Sequence, residues 1–177
     1  MKKDEGKWER VTQEFAPVCD GDCRVLILGT APSRKSREVG FYYGHPQNRF
    51  WKMLAAVTGE EVPQTIEEKK ALLLRNHIAL HDVIHSCDII GSSDCSIRNV
   101  EPADLERILA VTGKVPILCN GGTAYKLYKK FQEKRLGIEA LQMPSTSPAN
   151  AAWKLEKLVE TWGKALLPLI GKEGGSQ

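Results

Sequence analysis

Four short apolar segments, separated by helical patterns, constrain the fold more than any other feature of this sequence. They cover residues 24–28, 78–84, 115–119 and 138–143, and each ends near Gly, Pro, Asn or Ser, which is typical of buried strands. Strands that alternate with helices pair in parallel through right-handed crossovers, so that helices cover both faces of the sheet. The sequence therefore predicts an α/β fold, a three-layer α/β/α sandwich around a central, mostly parallel four-stranded sheet.

The helices are predicted from apolar spacing and from capping residues. They are expected over residues 47–57, from Thr65, after Glu101, from Thr123 and from Ala149. Thr65 and Glu68 have the spacing of a capping box, and Pro102 suits the first turn of the helix after Glu101. The last pattern carries an apolar stripe of period 3.6, and Pro168 should bend or end that helix.

A chain of 177 residues suits a single domain, since no internal repeat or long linker divides it. We expect one domain over residues 1–177, flexible at 1–6 and 171–177.

No apolar run approaches the roughly 20 residues that cross a bilayer, so a soluble protein with no membrane contact is expected, and we expect it to be a monomer. Five cysteines, an odd number, and the absence of an apolar signal segment indicate reduced thiols in a cytoplasm. The net charge of +3 permits an anionic partner without requiring one.

Open sheets of this type bind ligands at the carboxyl ends of their strands, so the loops there hold the candidate site. The first loop, residues 29–33, precedes Arg34, Lys35 and Arg37. Backbone N–H groups beside these cations suit an anion or a carbonyl oxygen, although an ordinary strand-ending turn explains the loop equally well. The other loops are residues 82–88, 120–122 and 144–150.

Residues 41–51 contain five aromatic rings together with a histidine, an asparagine and an arginine. Flat rings beside hydrogen-bonding groups can hold an unstacked nucleobase. Phe50 and Trp51 are interpreted instead as core residues of the helix that begins here. Asn48 and Arg49, in the first turn of that helix, have no such explanation.

Residues 144–150 have the pattern of a helix start, with Ser147 able to cap it and Pro148 able to take the first helical position. Hydroxyl groups there could also hold a DNA backbone while small apolar groups enter the base stack. A capped helix explains Ser147 and Pro148 but leaves Ser145 and Thr146 unexplained.

His77, His81 and His85 recur at steps of four and would form a metal-binding face on a helix. The segment has the pattern of a strand, where about 13 Å would separate each pair at about 3.3 Å per residue. We therefore expect no metal site.

Taken together, these stretches resemble the uracil-DNA glycosylase superfamily, and most closely its hypoxanthine-DNA (DNA-deoxyinosine) glycosylase branch. The match is carried by residues 26–33 with Ser36, by residues 42–51 and by residues 144–149, with residues 120–125 as a weaker fourth stretch. The resemblance implies the uracil-DNA glycosylase-like sandwich, hydrolysis of the N-glycosidic bond of a deaminated base in double-stranded or single-stranded DNA, and no cofactor.

The resemblance also implies the roles of individual residues. Asn48 matches the asparagine that is credited with placing the attacking water in that branch. It is therefore the predicted catalytic residue. The predicted base pocket consists of Gly29, Thr30, Ala31, Pro32, Phe41, Tyr43 and Asn120. The predicted DNA contacts are Ser33, Ser36, His45, Ser145, Thr146, Ser147 and Pro148. Uracil-cleaving relatives usually carry Asp or Asn where this chain has Ala31. The hypothesis therefore assigns the catalytic role to Asn48.

The predicted mechanism is dissociative, because the amide of Asn48 can orient a water through its carbonyl oxygen but cannot take its proton. The sugar gains oxocarbenium character while negative charge grows on the departing purine, which backbone N–H groups of residues 29–33 could receive. Lys35 lies among other cations without an apolar pocket, so a monofunctional enzyme without lyase activity is expected.

Hypoxanthine is the expected base, since its 6-carbonyl group can be told from the 6-amino group of adenine by a fixed donor. Three alternatives stay open at this point. The protein could be a uracil or mismatch-specific DNA glycosylase, a non-catalytic module that binds lesions, or a nucleoside hydrolase.

Overall fold

The computed structural model describes residues 7–91 and 93–171. Its strands are β1 (Trp8–Thr12), β2 (Val25–Gly29), β3 (Ile78–Asp82), β4 (Ile84–Ile90), β5 (Arg98–Pro102), β6 (Ile117–Asn120) and β7 (Ala140–Met143). Its helices are α1 (Arg34–Val39), α2 (Phe50–Thr58), α3 (Ile66–Arg75), α4 (Leu105–Thr112), α5 (Gly122–Phe131), α6 (Glu133–Leu136) and α7 (Leu155–Ile170). The flexibility expected for 1–6 and 172–177 falls outside the described residues, whereas Gly171 caps α7.

Strands β3, β2, β6 and β7 form, in that order, a four-stranded sheet in which every pair is parallel. Successive residues of β2 pack on opposite sides, because side chains alternate along a strand. Ile27 packs in a cluster with Phe50 of α2 and Trp162 of α7. Leu26 packs in a second cluster with Ile108 of α4 and Tyr128 of α5. The predicted three-layer α/β/α sandwich is therefore confirmed.

A second sheet was not predicted. Strands β1, β4 and β5 form an antiparallel sheet in the order β1-β4-β5. The expected single strand 78–84 is split, because β3 ends at Asp82 and the chain turns at Val83 into β4. At this turn the backbone N–H groups of Val83 and Ile84 donate to the carbonyls of Gly29 and Thr30, at 2.8 and 3.1 Å. Strand β4 of the second sheet therefore starts beside the first two residues of the first candidate loop.

The capping box at the start of α3 is confirmed. Thr65 Oγ1 accepts from the backbone N–H of Glu68 at 3.1 Å, and Glu68 Oε2 accepts from the backbone N–H of Thr65 at 3.3 Å. Pro102, in contrast, is the last residue of β5, and Asp104 caps α4 by accepting from the backbone N–H of Arg107. A carboxylate cap two residues later thus fixes the start of this helix.

The last helix begins at Leu155, and the chain between β7 and α7 is a loop, the serine-proline loop (residues 144–154). Ser147 caps no helix. Its Oγ accepts from the backbone N–H of Ala149 at 3.2 Å, and its own N–H donates to Ser145 Oγ at 3.1 Å. Such side-chain bonds offer the backbone an alternative to the helix. Pro168 lies in the final turn of α7, where it removes one helix hydrogen bond without ending the helix before Ile170. In the described ranges, no helix is both long and apolar enough to span a bilayer.

Candidate active site

A cavity of about 740 Å³ lies at the carboxyl ends of the parallel strands, a volume suited to a small organic ligand. All but one of the predicted site residues line it. They are Gly29, Thr30, Ala31, Pro32, Ser33, Ser36, Tyr43, His45, Asn48, Asn120, Ser145, Thr146, Ser147 and Pro148. The fold therefore brings together residues 29–48, Asn120 and residues 145–148, which are far apart in the sequence.

Phe41 is the predicted pocket residue that does not line the cavity. It is only 3% exposed, and its ring stacks on Trp51 with centroids 6.1 Å apart. Trp51 and Phe50 are buried as well, in agreement with their interpretation as core residues. The strong apolar character of Phe41 directs it into the core, and we leave it out of the proposed pocket.

Tyr43 and Gly29 shape the floor of the cavity. The Tyr43 ring stacks on Phe50 with centroids 4.2 Å apart, and its backbone has a positive φ of 53°, which is uncommon for a bulky residue. A Cβ atom added to Gly29 would lie 2.8 Å from Tyr43 Oη and 2.5 Å from Asp82 Oδ1. Only a residue without a side chain fits at this point.

Asp82 is an acidic cavity residue to which the sequence analysis gave no role, although it named the loop 82–88 that begins with it. It ends β3 directly beside Gly29 of β2, is 4% exposed and lines the cavity. The side-chain amide of Gln13 donates to Asp82 Oδ2. Burial raises the pKa of this carboxyl to about 7, and the Gln13 hydrogen bond opposes that rise. The sequence signal is a lone acidic residue at the end of an apolar strand.

The side chain of Asn48 is fixed by a chain of hydrogen bonds. Its Oδ1 accepts from the backbone N–H of Phe50 and from Thr146 Oγ1, both at 2.9 Å. Thr146 Oγ1 in turn accepts from the Asn120 amide at 3.0 Å, and the Thr146 backbone N–H donates to Asn120 Oδ1 at 3.0 Å. The bond to Phe50 N–H settles the orientation of the Asn48 amide, because only its oxygen can accept.

This arrangement corrects one expectation about Asn48. Both lone pairs of its carbonyl oxygen are already engaged, so that oxygen is not the atom that would hold a water. The Asn48 amino group makes no hydrogen bond within the described part of the chain. A ligand or water at Asn48 would therefore accept a hydrogen bond from Nδ2.

Arg49 connects the start of α2 to the serine-proline loop. Its Nε donates to the Thr146 carbonyl at 3.2 Å, and Nη2 donates to the carbonyls of Ser147 and Asn150 at 2.7 and 3.3 Å. Its Nη1 donates to the Trp153 carbonyl. The planar guanidinium thus fixes four points of one loop, which a flexible ammonium group could not do.

Two of the predicted DNA contacts, Ser33 and Ser36, use their hydroxyl groups for hydrogen bonds within the protein. Ser33 Oγ caps α1 by accepting from the backbone N–H of Ser36 at 3.1 Å. Ser36 is 4% exposed, and its Oγ accepts from the backbone N–H of Gly44 at 2.9 Å. We leave Ser36 out of the proposed DNA contacts because its hydroxyl joins α1 to the segment before α2.

The three histidines lie in different environments. His77 Nδ1 is 3.1 Å from the Asp22 carbonyl. His81 is buried, with Nδ1 2.7 Å from Tyr42 Oη, and burial together with His85 lowers its pKa to about 4. His85 is exposed on β4. Among the described residues, no group of three His, Cys, Asp or Glu side chains is placed to hold a metal ion.

Fold and site together define an α/β sandwich protein with a cavity for a small ligand at the carboxyl ends of its parallel strands. Comparison with known proteins narrows this class. The model of the Uracil DNA glycosylase superfamily matches residues 16–166. The chain therefore belongs to the uracil DNA glycosylase superfamily, as the sequence motifs implied.

Individual relatives agree with this assignment. A hypoxanthine DNA glycosylase from Methanosarcina acetivorans is 32% identical over 141 residues, which are 79% of this chain and 89% of that protein. One from Methanosarcina barkeri is 30% identical over 155 residues, which are 86% and 96% of the two chains. The solution NMR structure of a Methanosarcina acetivorans protein described as a candidate uracil DNA glycosylase matches with a TM-score of 0.76 and 31% identity, covering 89% of this chain and 98% of that one.

Proposed function

We propose that this protein is a monofunctional DNA glycosylase that flips a deaminated base out of DNA and hydrolyses its N-glycosidic bond, with deoxyinosine as the preferred substrate. The observation that carries this proposal is that Asn48, the first candidate loop (residues 29–33) and the serine-proline loop all line one cavity. The names of the two Methanosarcina relatives support hypoxanthine as the base.

The proposed reaction mechanism follows from the chemistry of the Asn48 amide. The Asn48 amide cannot remove a proton from water, so the leaving base carries the reaction and water adds late to an oxocarbenium-like sugar. The amino group of Asn48 supplies a hydrogen bond of fixed direction, because Thr146 and the Phe50 backbone hold its carbonyl oxygen. Preorganised donors of this kind, when removed, typically cost about 2.7–4 kcal/mol of barrier.

DNA contacts are proposed for two groups of cavity residues. The hydroxyls of the serine-proline loop and the cations of α1 both line the cavity. Arg37 and Arg34 approach Glu9 at 3.1 and 4.0 Å. The Arg34 pair is exposed and the Arg37 pair is partly exposed, and we propose that both cations exchange Glu9 for phosphates. We propose that one domain acts as a monomer in the cytoplasm on double-stranded or single-stranded DNA.

A lesion panel tests the proposal. Duplexes with a single deoxyinosine, uracil, xanthine or normal base are incubated with wild type and with Asn48→Ala, and abasic sites are counted after alkaline cleavage. We expect deoxyinosine to react fastest, and Asn48→Ala to lower its rate by roughly 100-fold or more with little change in binding. Lys164→Ala, on the exposed face of α7, is the matched control.

The panel also separates the other candidates. Uracil reacting fastest would instead fit the description of the structural relative. Binding of lesion DNA without any abasic product would identify a lesion-binding module, which the absence of a polar side chain at Ala31 favours. Equal turnover of free deoxyinosine would identify a nucleoside hydrolase, and an unchanged Asn48→Ala rate would refute the role given to Asn48.

A further inference from the structure

The floor of the cavity carries an acidic group that the proposed mechanism has not used. Asp82 Oδ1 and Tyr43 Oη both lie within 3 Å of the position of a Cβ at Gly29. Asp82 Oδ1 makes no hydrogen bond within the described residues, whereas Oδ2 accepts from Gln13. The oxygen on the Gly29 side is thus the part of Asp82 that a bound base would meet.

The orientation of Gln13 determines which Asp82 oxygen carries a proton. Gln13 is 5% exposed, and its Oε1 accepts from the backbone N–H of Phe15 at 2.5 Å. Its amino group must therefore be the donor to Asp82 Oδ2, because an N–H group cannot accept. When the carboxyl is protonated, the proton lies on Oδ1 and Asp82 becomes a donor that faces the cavity.

The charge of Asp82 matters for the departing base. Negative charge grows on the purine as the N-glycosidic bond breaks, and a carboxylate facing that purine would oppose it. A carboxylic acid in the same place would stabilise it by a hydrogen bond to the 6-carbonyl oxygen. The 6-amino group of adenine is itself a donor, so the same acid would reject adenine by leaving two donors opposed in a buried site.

We propose that Asp82, in its carboxylic-acid form, is the hydrogen-bond donor that recognises the 6-carbonyl group of the flipped base. This inference rests on the proposed function and adds the group that determines base specificity. Asp82 transfers no proton. The electron pair of the N-glycosidic bond leaves with the base, and the water that adds to the sugar loses its proton to solvent.

The surroundings of Asp82 keep the acid neutral at moderate pH. Gln13 packs against it from the end of β1, and Tyr42 and Tyr43 approach it from the segment before α2, with their own pKa values raised by burial and by the Asp82 charge. Among the described residues, no cation contributes to the shift of the Asp82 pKa to about 7. The neutral, donating form is therefore populated below about pH 7 and is lost as the pH rises through that value.

The test compares wild type with Asp82→Asn and Asp82→Leu. An asparagine can place its oxygen toward Gln13 and its amino group toward the cavity, so it keeps the donor at every pH, whereas leucine removes it. Single-turnover rates on deoxyinosine duplex should fall about tenfold per pH unit above pH 7 for wild type. They should stay flat for Asp82→Asn and be low throughout for Asp82→Leu.

Two results would overturn the inference. Asp82→Asn could be as inactive as Asp82→Leu at every pH, which would show that the carboxylate is the working form. Wild type and Asp82→Asn could instead show the same alkaline fall, which would assign the titration to another group. Circular dichroism and thermal unfolding establish that each variant is folded.

A second measurement keeps this inference separate from the proposed function. Binding of free hypoxanthine, followed by calorimetry, should weaken above about pH 7 in wild type and stay constant in Asp82→Asn. If no lesion yields abasic sites, the proposed function fails, and the binding series still decides the role of Asp82. An affinity for hypoxanthine that changes neither with pH nor with the Asp82 substitutions would refute the role of Asp82.

Discussion

At the scale of single residues, the candidate site depends on groups whose orientation is fixed by their neighbours. Asn48 was predicted from a local motif, and the cavity contains it. Asp82 could not be predicted in the same way, because its raised pKa comes from burial and its position from the register of β2 against β3. Neither burial nor register is encoded in the residues next to Asp82 in the sequence.

Gly29 gives a prediction at this scale. In Gly29→Ala the new Cβ would lie 2.5 Å from Asp82 Oδ1 and 2.8 Å from Tyr43 Oη, which forces both polar groups away from their places. We expect single-turnover cleavage of deoxyinosine DNA to fall roughly 100-fold, the usual effect of a misplacement near 1 Å.

The control for this substitution is Gly163→Ala. A Cβ on Gly163 in α7 would meet its nearest neighbour at 3.8 Å, an ordinary contact. Its rate should match that of wild type. Wild-type activity in Gly29→Ala would show that the cavity floor does not contact the base.

At the scale of elements, long-range hydrogen bonds decide where the structure departs from local patterns. The helix predicted from Ala149 begins only at Leu155, because Arg49, about 100 residues earlier in the chain, binds the backbone carbonyls of Asn150 and Trp153. The predicted strand 78–84 divides because β4 pairs with β1, which lies more than 70 residues away. Local spacing predicted the capping box of α3, where all partners lie within one turn.

Arg49→Lys tests the role of Arg49 in holding this loop. Lysine keeps the charge but cannot reach four carbonyls from one ammonium group, so the serine-proline loop should lose its fixed shape. We expect cleavage of a deoxyinosine duplex to fall by at least about tenfold, and cleavage of the same lesion in single-stranded DNA to fall less. A loop that enters the duplex is needed only where base pairs must be opened.

Arg75→Lys provides the matched control, since Arg75 is an exposed arginine that binds Glu60 on the surface. Its ratio of duplex to single-strand rates should equal that of wild type. Equal losses on both substrates in Arg49→Lys would indicate a general defect of folding and not a defect in opening the duplex.

At the scale of the whole molecule, the alternation of strands and helices was sufficient to predict the parallel sheet and its two helical layers. It was not sufficient to predict the antiparallel sheet, whose Val11, Cys87 and Ile89 pack in one cluster and line the cavity. Parallel strands buried on both faces form continuous apolar runs, whereas β1 and β5 are short and half-exposed. Half-exposed strands leave only a weak signal in the sequence.

The measurement that tests the account most directly is an analysis of both products from a duplex with one deoxyinosine. We predict that wild type releases free hypoxanthine in a one-to-one ratio with abasic sites, that the DNA strand stays intact until alkali is added, and that borohydride traps no adduct. A nicked strand, a trapped covalent adduct or DNA that keeps its hypoxanthine at high enzyme concentration would contradict hydrolysis of the N-glycosidic bond in this cavity.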